Sequence, residues 1–211
     1  MISILSDAAN LPWVFVSLAI GYLLGSIPFG LIFTRMAGLG DIRDIGSGNI
    51  GATNALRTGN KTVAGATFLC DAAKGAAAVL LFTYLAPSLE LVLPLAMLAA
   101  AAAFLGHLYP VWLGFKGGKG ISTFIGINLA LFWPVGLLFL LTWLLVAVIT
   151  RYSSLAALIG ASATPVYLYF FEHYDLLPLS IFLLVFIYYA HRDNISRLLA
   201  GNESRIGSTA K

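Results

Sequence analysis

Long apolar stretches without a charged side chain constrain this sequence more than any other feature. Residues 11–34, 91–108 and 121–150 contain no Asp, Glu, Lys or Arg, and 60% of the 211 residues are hydrophobic while only 10% are charged. A helix needs about 20 apolar residues to cross a hydrocarbon layer about 30 Å thick, whereas a soluble domain carries about 25% charged residues. The chain is therefore expected to be an all-α integral membrane protein.

The membrane spans can be placed from the apolar stretches and the charges that flank them. We expect a polytopic bundle of seven transmembrane helices in a single domain covering residues 1–211. Their approximate bounds are 12–35, 62–86, 91–109, 121–133, 135–150, 154–171 and 175–190. The stretch 121–150 is ambiguous, because it would be about 45 Å long as one helix. Two crossings would require a turn near Trp133, Pro134 and Gly136.

The distribution of positive charge favours two crossings in this stretch. With seven spans, the loops 1–11, 87–90, 133–135 and 172–174 share one side and contain no Lys or Arg, so all 12 such residues lie on or toward the other face. A single crossing would move Arg151 and the cations of the tail to the far side, although Lys and Arg tend to stay in the cytosol. We therefore expect the N-terminus outside and the C-terminus in the cytosol.

The cytosolic segment of residues 36–61 has the composition of an anion-binding loop. Small polar side chains alternate there with glycines at positions 46, 48 and 51, and they are Ser47, Asn49, Thr53 and Asn54. Glycine lets a backbone turn sharply, and successive free N–H groups form a concavity for anions. Arg57 would lie about one helical turn after Thr53, and a guanidinium binds phosphate through two hydrogen bonds. A flexible loop, or cations that serve orientation alone, are the alternatives.

A second glycine-rich segment lies directly before the stretch 121–150. It reads Lys116, Gly117, Gly118, Lys119 and Gly120, which differs from a nucleotide-binding P-loop because no Ser or Thr follows Lys119 and no strand precedes it. A backbone cradle for an anion, with Lys119 as its point charge, still fits this pattern.

Other polar side chains fall inside or at the ends of the predicted spans. Asp71 and Lys74, three residues apart in the second span, form either a structural ion pair or a contact to substrate. His107 is interpreted as a helix-end anchor rather than a base. His191 has Asn194 on the same helical face, and this pair is interpreted as a general base with an orienting amide or as a helix cap. No cluster of metal ligands is visible, and no Gly-x-Ser-x-Gly serine occurs.

Taken together, these motifs resemble the acyl-phosphate-dependent glycerol-3-phosphate acyltransferases (the PlsY family). The resemblance rests on residues 25–30, on 46–54 with Arg57, on Asp71, Lys74 and Gly75, on 106–111 with 115–120, and on the tail around His191, Asn194 and Arg197. It runs in the right order from Tyr22 to Glu203 and covers nearly the whole chain.

This resemblance implies a bacterial inner-membrane enzyme of phospholipid biosynthesis with its site on the cytosolic face. It would transfer a fatty acyl group from acyl-phosphate to the 1-hydroxyl of glycerol 3-phosphate, without a cofactor or metal and without using acyl-CoA directly. Its implied partners are these substrates, membrane lipid and the enzyme that produces acyl-phosphate, but no nucleic acid. A transporter of a phosphate-bearing anion is the alternative function.

The resemblance also implies roles for individual residues. The implied catalytic residues are Ser47, Lys119, His191 and Asn194. Residues expected to bind substrate phosphate are Arg57, Asn49, Thr53, Gly117, Gly118 and Gly120, and Lys74 is added to them because of its place in the second span. Either His191 or a phosphate oxygen of the donor would accept the hydroxyl proton.

Overall fold

The computed structural model describes residues 7–46 and 48–207, and every regular element in this part of the chain is helical. The α-helices of this part, named α1 to α9 in chain order, are Leu11–Gly25, Phe29–Met36, Ala52–Leu56, Lys61–Leu85, Leu89–Leu108, Ile121–Thr150, Ser153–Phe170, Leu177–Ala190 and Arg192–Leu199. Short 3-10 helices occur at Ala8–Asn10, Ile42–Asp44, Val111–Leu113 and Tyr174–Leu176. The expected all-α class is confirmed for the described residues.

Several of these helices are long and apolar enough to cross a membrane. Within the described residues they number five, or up to six if the bent pair Tyr174–Ala190 and Arg192–Leu199 counts as one span. They are Ala8–Met36, Lys61–Leu85, Leu89–Leu113, Ile121–Thr150 and Ser153–Phe170. Large apolar side chains on their surfaces, such as Leu145, Val148 and Ile149, are exposed. An exposed apolar surface of this kind fits lipid rather than water.

The first predicted span, 12–35, is not a continuous helix. Helix α1 ends at Gly25 and α2 begins at Phe29, because Pro28 has no N–H to donate and restricts the residue before it. Carbonyl groups at this break find donors elsewhere in the fold. Trp112 Nε1 donates to Ser26 O at 2.8 Å, and Lys74 Nζ donates to Ile27 O at 2.7 Å. The residues at this break therefore accept hydrogen bonds from Trp112, which precedes the second glycine-rich segment, and from the buried Lys74 of α4.

Helix α1 packs closely against α5 through small residues. Its buried positions Val14, Ser17, Gly21 and Gly25 recur every three or four residues and so lie on one face. A Cβ added at Gly25 would overlap the backbone of Ala103. Small residues at such positions let membrane helices approach and gain van der Waals contact. This contact fixes the C-terminal part of α5, and the second glycine-rich segment follows that helix in the chain.

Helix α6 contains the turn region that the sequence predicted. Its backbone leaves the helical conformation at Phe132, with φ −156° and ψ 92°, two residues before Pro134. The chain also divides here into two compact units, Met1–Leu131 and Phe132–Lys211. The predicted interruption near Trp133 is confirmed, while the number of crossings and the single domain over 1–211 stay predictions.

Polar side chains join the helices of the second unit. Thr142 Oγ1 on α6 lies 2.6 Å from the Tyr167 hydroxyl on α7, and Ser162 Oγ on α7 lies 2.9 Å from the Tyr188 hydroxyl on α8. Hydrogen bonds between membrane helices are worth about 1 kcal/mol each. They help to fix α8, which ends beside His191.

Candidate active site

The loop before α3 is a built structure. The buried side chain of Asn54 holds it together, because Nδ2 lies 2.8 Å from Ile42 O, 3.1 Å from Ile45 O and 2.8 Å from Asn49 O. Ile42 and Ile50 are buried in an apolar cluster beneath the loop. A loop with a buried amide and buried apolar side chains has little conformational freedom. These contacts therefore support the interpretation of residues 36–61 as a shaped site rather than as a flexible loop.

Several predicted phosphate-binding residues lie together in this loop. Asn49 Oδ1 accepts a hydrogen bond from Gly51 N at 3.1 Å, and Thr53 is exposed on the short helix α3. Gly46 has φ +55°, and a Cβ added there would overlap the side chains of Asn54 and Arg57. The loop therefore brings Asn49, Thr53 and Arg57 to one region. Ser47, which the resemblance places in the site, lies outside the described residues.

Two further arginines near this loop are engaged by an acidic side chain. Asp41 Oδ2 lies 2.9 Å from Arg35 Nη2 and 2.6 Å from Arg43 Nη2. The hydrogen bond from Arg43 holds the pKa of Asp41 well below its usual range, and Arg35 contributes in the same direction. The Asp41 carboxylate therefore stays charged and offsets part of the positive charge at the start of the loop.

The second glycine-rich segment returns along the end of α5. Gly117 N donates to Leu108 O, and Gly118 N donates to His107 O, both at 3.0 Å. Gly118 and Gly120 are buried, whereas Lys119 between them is half-buried. The predicted cradle of backbone amides does not include these two N–H groups, because they already donate within the chain. What the segment provides is a fixed backbone on either side of Lys119.

A buried charged cluster lies under this segment. Lys74 Nζ is 2.7 Å from Asp71 Oδ1, and His107 Nδ1 is 3.7 Å from the same oxygen. Of the two interpretations of Asp71 and Lys74, the ion pair describes these contacts. His107 sits in the last turn of α5, as expected for a helix-end residue, but it is buried rather than interfacial.

In the second unit, His191 lies between α8 and α9. Its side chain is buried, and Nδ1 is 2.8 Å from Ile187 O. A carbonyl oxygen can only accept, so Nδ1 carries the proton in this contact, and Nε2 of a neutral ring then bears the lone pair. This tautomer suits a general base that acts through Nε2.

Asn194 is held by a residue that the sequence interpretation did not single out. Its Nδ2 donates to Glu203 Oε1 at 2.6 Å, and the same oxygen accepts from Ser154 Oγ at 2.7 Å. Arg197 Nε donates to Glu203 Oε2 at 2.7 Å. The segment that follows α9 is thereby bonded both to α7 and to α9 itself. The orientation of His191 by Asn194 stays a prediction.

The Glu203 carboxyl is charged in this environment. Burial alone would raise its pKa, but the hydrogen bonds from Ser154, Asn194 and Arg197 outweigh that effect and leave the pKa of Glu203 below its usual value. Hydrogen bonds to a charged form stabilise that form. The sequence signal that could have found Glu203 is its acidic character in a tail that has a net positive charge.

Comparison with known proteins decides the family. The model of the protein family described as Glycerol-3-phosphate acyltransferase matches residues 15–201. The chain belongs to this family. A Glycerol-3-phosphate acyltransferase from Bradyrhizobium diazoefficiens is 56% identical over 195 residues, which cover 92% of this chain and 96% of the relative. One from Mesorhizobium japonicum is 55% identical over 193 residues, with coverage of 92% and 96%.

Solved structures agree with the family assignment. The crystal structure of PlsY (YgiH), an integral membrane glycerol 3-phosphate acyltransferase, in its glycerol 3-phosphate form matches with a TM-score of 0.85 and 35% identity. That match covers 92% of this chain and 96% of the other. The lysophosphatidic acid form of the same enzyme matches with a TM-score of 0.82. The resemblance to the PlsY family is confirmed, and the chain is a membrane acyltransferase of phospholipid biosynthesis.

Proposed function

We propose that this chain transfers a fatty acyl group from acyl-phosphate to the 1-hydroxyl of glycerol 3-phosphate. The acyl carbon forms an ester bond to the hydroxyl oxygen while its bond to the phosphate oxygen breaks. The products are 1-acylglycerol 3-phosphate, which is lysophosphatidate, and inorganic phosphate. The observation that carries the proposal is the match over nearly the whole chain to an enzyme solved in its glycerol 3-phosphate form. The comparisons favour this enzyme over an anion transporter.

Phosphate binding is assigned to the two shaped segments of the first unit. Both substrates carry phosphate groups that repel each other, so fixed positive charges are needed to hold them. Arg57 in the first loop and Lys119 in the second supply these charges, and Ser47, Asn49 and Thr53 supply hydrogen bonds. Groups that are fixed before the reaction stabilise developing charge without reorganising, and removal of one such donor costs about 3–4 kcal/mol.

The contacts of the buried residues refine two of these roles. The amides of Gly117 and Gly118 donate to carbonyls of α5, so these glycines shape the segment rather than contact phosphate through their N–H groups. Gly120 stays assigned to the phosphate site. Lys74 has a buried ammonium that donates to Ile27 O and faces Asp71, so we remove it from the residues that contact substrate.

The proton of the acceptor hydroxyl goes to His191 Nε2 or to an oxygen of the leaving phosphate. The contact between His191 Nδ1 and Ile187 O supports the first route, because it leaves the lone pair on Nε2. Asn194 is assigned to orient the acceptor or His191 from its fixed place beside Glu203. Phosphate is a good leaving group in a mixed anhydride, so alignment supplies a large part of the rate enhancement.

We assign the site to the cytosolic face of a bacterial inner membrane. Seven crossings with the N-terminus outside keep all Lys and Arg on or toward the cytosol. The acyl chain of the donor would stay in lipid or between helices while its phosphate reaches the loops. The enzyme that produces acyl-phosphate would then deliver the donor from the same side.

The test is an assay of purified protein with acyl-phosphate and glycerol 3-phosphate, scored for lysophosphatidate. Matched reactions replace acyl-phosphate by acyl-CoA or by acyl carrier protein that bears the same acyl group. Product from acyl-phosphate alone is expected. Equal or faster product formation from acyl-CoA would overturn the donor assignment while leaving the acyltransferase family in place.

A further inference from the structure

The proposed reaction gives no role to the three buried polar residues beneath the second glycine-rich segment. Asp71 is 1% exposed, Lys74 is 4% exposed and His107 is 3% exposed, although all three lie within apolar helices. Charged side chains in such places are costly, and removal of one partner leaves an uncompensated charge. Their contacts therefore indicate what this cluster does.

At one end the cluster holds the break between α1 and α2. Lys74 Nζ donates to Ile27 O at 2.7 Å and lies 5.7 Å from the centre of the Phe29 ring. Asp71 Oδ1, 2.7 Å from the same nitrogen, balances its charge. An apolar residue in place of Lys74 could not donate to the Ile27 carbonyl. The pair therefore does more than neutralise its two charges, because its lysine also bonds the carbonyl group at the helix break.

At the other end the cluster supports Gly118. The carbonyl oxygen of His107 accepts from Gly118 N, and the imidazole ring fills the space where a side chain at position 118 would begin. A Cβ added at Gly118 would overlap Nε2 of this ring, and its three nearest neighbours would all be ring atoms of His107. Asp71 Oδ1 lies 3.7 Å from the other ring nitrogen, Nδ1. The ring is therefore near the carboxylate at Nδ1 and near the glycine at Nε2.

We propose that Asp71, Lys74 and His107 are positioning residues that set the location of Lys119 through Gly118. The series of contacts runs from Ile27 O through Lys74, Asp71 and His107 to the glycine beside Lys119. This inference rests on the proposed function, because Lys119 is taken to bind phosphate. A displacement of about 1 Å at such a group can change the rate or the affinity about 100-fold.

A double-mutant cycle between His107 and Gly118 tests the central contact. Gly118 does not have a positive φ, so Gly118→Ala introduces a clash with the ring of His107 rather than backbone strain. Gly118→Ala is expected to raise KM for glycerol 3-phosphate about 10- to 100-fold. In the His107→Ala background the ring is absent, so the added methyl group should change KM less than about threefold. Equal effects of Gly118→Ala in both backgrounds would overturn the proposal.

A second variant separates positioning from simple charge balance. Asp71→Asn with Lys74→Met removes both charges and keeps the approximate side-chain volumes. The proposal expects KM for glycerol 3-phosphate to rise about tenfold or more, with little change in KM for the acyl donor. A KM equal to that of the wild type in this neutral variant would show that Asp71 and Lys74 only neutralise each other's charge, and it would overturn the positioning role of the pair. Thr83→Val is the control on the same helix, because it removes a hydrogen bond to Val79 O and should leave KM unchanged.

Amide hydrogen exchange supplies a readout that does not depend on substrate. In the wild type, Gly117 and Gly118 N–H groups donate to carbonyls and should exchange slowly. His107→Ala and the neutral pair should speed exchange in the peptide 115–121 more than about tenfold, whereas Thr83→Val should not. Unchanged exchange would overturn the proposal even if the acyl donor proved to be different. If exchange responds but acyl-phosphate is not consumed, the proposed donor fails and the positioning role stands.

Discussion

Asn194 Nδ2 donates to Glu203 Oε1 over 2.6 Å, and this contact ties a predicted catalytic residue to the C-terminal tail. The same carboxylate also accepts from Ser154 and Arg197, so three side chains donate to one half-buried carboxylate. The tail therefore contributes to the fold of the second unit.

Replacement of Glu203 should destabilise the protein. Glu203→Gln keeps the shape but removes the charge, and its amide nitrogen cannot accept from Ser154, Asn194 or Arg197. Hydrogen bonds to charged groups contribute about 1.5–3 kcal/mol each, so a loss of that order is expected. The measurement is the unfolding midpoint in detergent. Glu90→Gln, at an exposed position, is the control, and an equal midpoint in both variants would contradict the expectation.

The same carboxyl predicts how stability depends on pH. The pKa of Glu203 is lower in the folded protein than in the unfolded chain, because Ser154, Asn194 and Arg197 donate hydrogen bonds to its charged form. Its contribution is therefore fully present above the unfolded pKa and is lost as the pH falls through the folded pKa. Between pH 6 and about pH 3, the midpoint should fall more steeply in the wild type than in Glu203→Gln. Parallel curves would show that Glu203 does not carry this dependence.

Local rules predicted some parts of the site and could not predict others. The ion pair between Asp71 and Lys74 follows from their spacing of three residues in a helix. The contact between Ser154 and Glu203 joins positions 49 residues apart, and no periodicity indicates such a pair. The same holds for the fold. The length of an apolar stretch predicted the helix Lys61–Leu85 closely. The interruption before Phe29 was not predicted, because it depends on one proline and on hydrogen-bond donors that are distant in the sequence.

The two lysines of the second segment should differ sharply in their effect on turnover. Lys119 lies between two buried glycines, whereas Lys116 is exposed. Lys119→Ala should lower kcat/KM at least about 100-fold, since it removes a fixed positive charge from the proposed phosphate site. Lys116→Ala has the same change in net charge and should retain most activity. Similar losses in both variants would indicate a general electrostatic effect and remove Lys119 from the site.

His191→Gln should distinguish a base from a binding residue. If Nε2 takes the hydroxyl proton, kcat should fall about 100- to 10,000-fold with a small change in KM for glycerol 3-phosphate. If a phosphate oxygen takes the proton, KM should rise and kcat should change little. Steady-state kinetics with varied acceptor separate these outcomes, and equal unfolding midpoints of variant and wild type exclude loss of the fold as the cause.

The number of crossings can be tested at the interruption of α6. In a Cys70→Ser background, Trp133→Cys places a single thiol at an exposed position beside Phe132. Seven crossings put this thiol at the outer surface, so a membrane-impermeant reagent should label it in intact cells. One continuous crossing of Ile121–Thr150 would bury it in hydrocarbon and prevent labelling. Thr58→Cys in the same background is the cytosolic control, because it should react only after the membrane is opened. Labelling of position 58 from outside would reverse the proposed orientation.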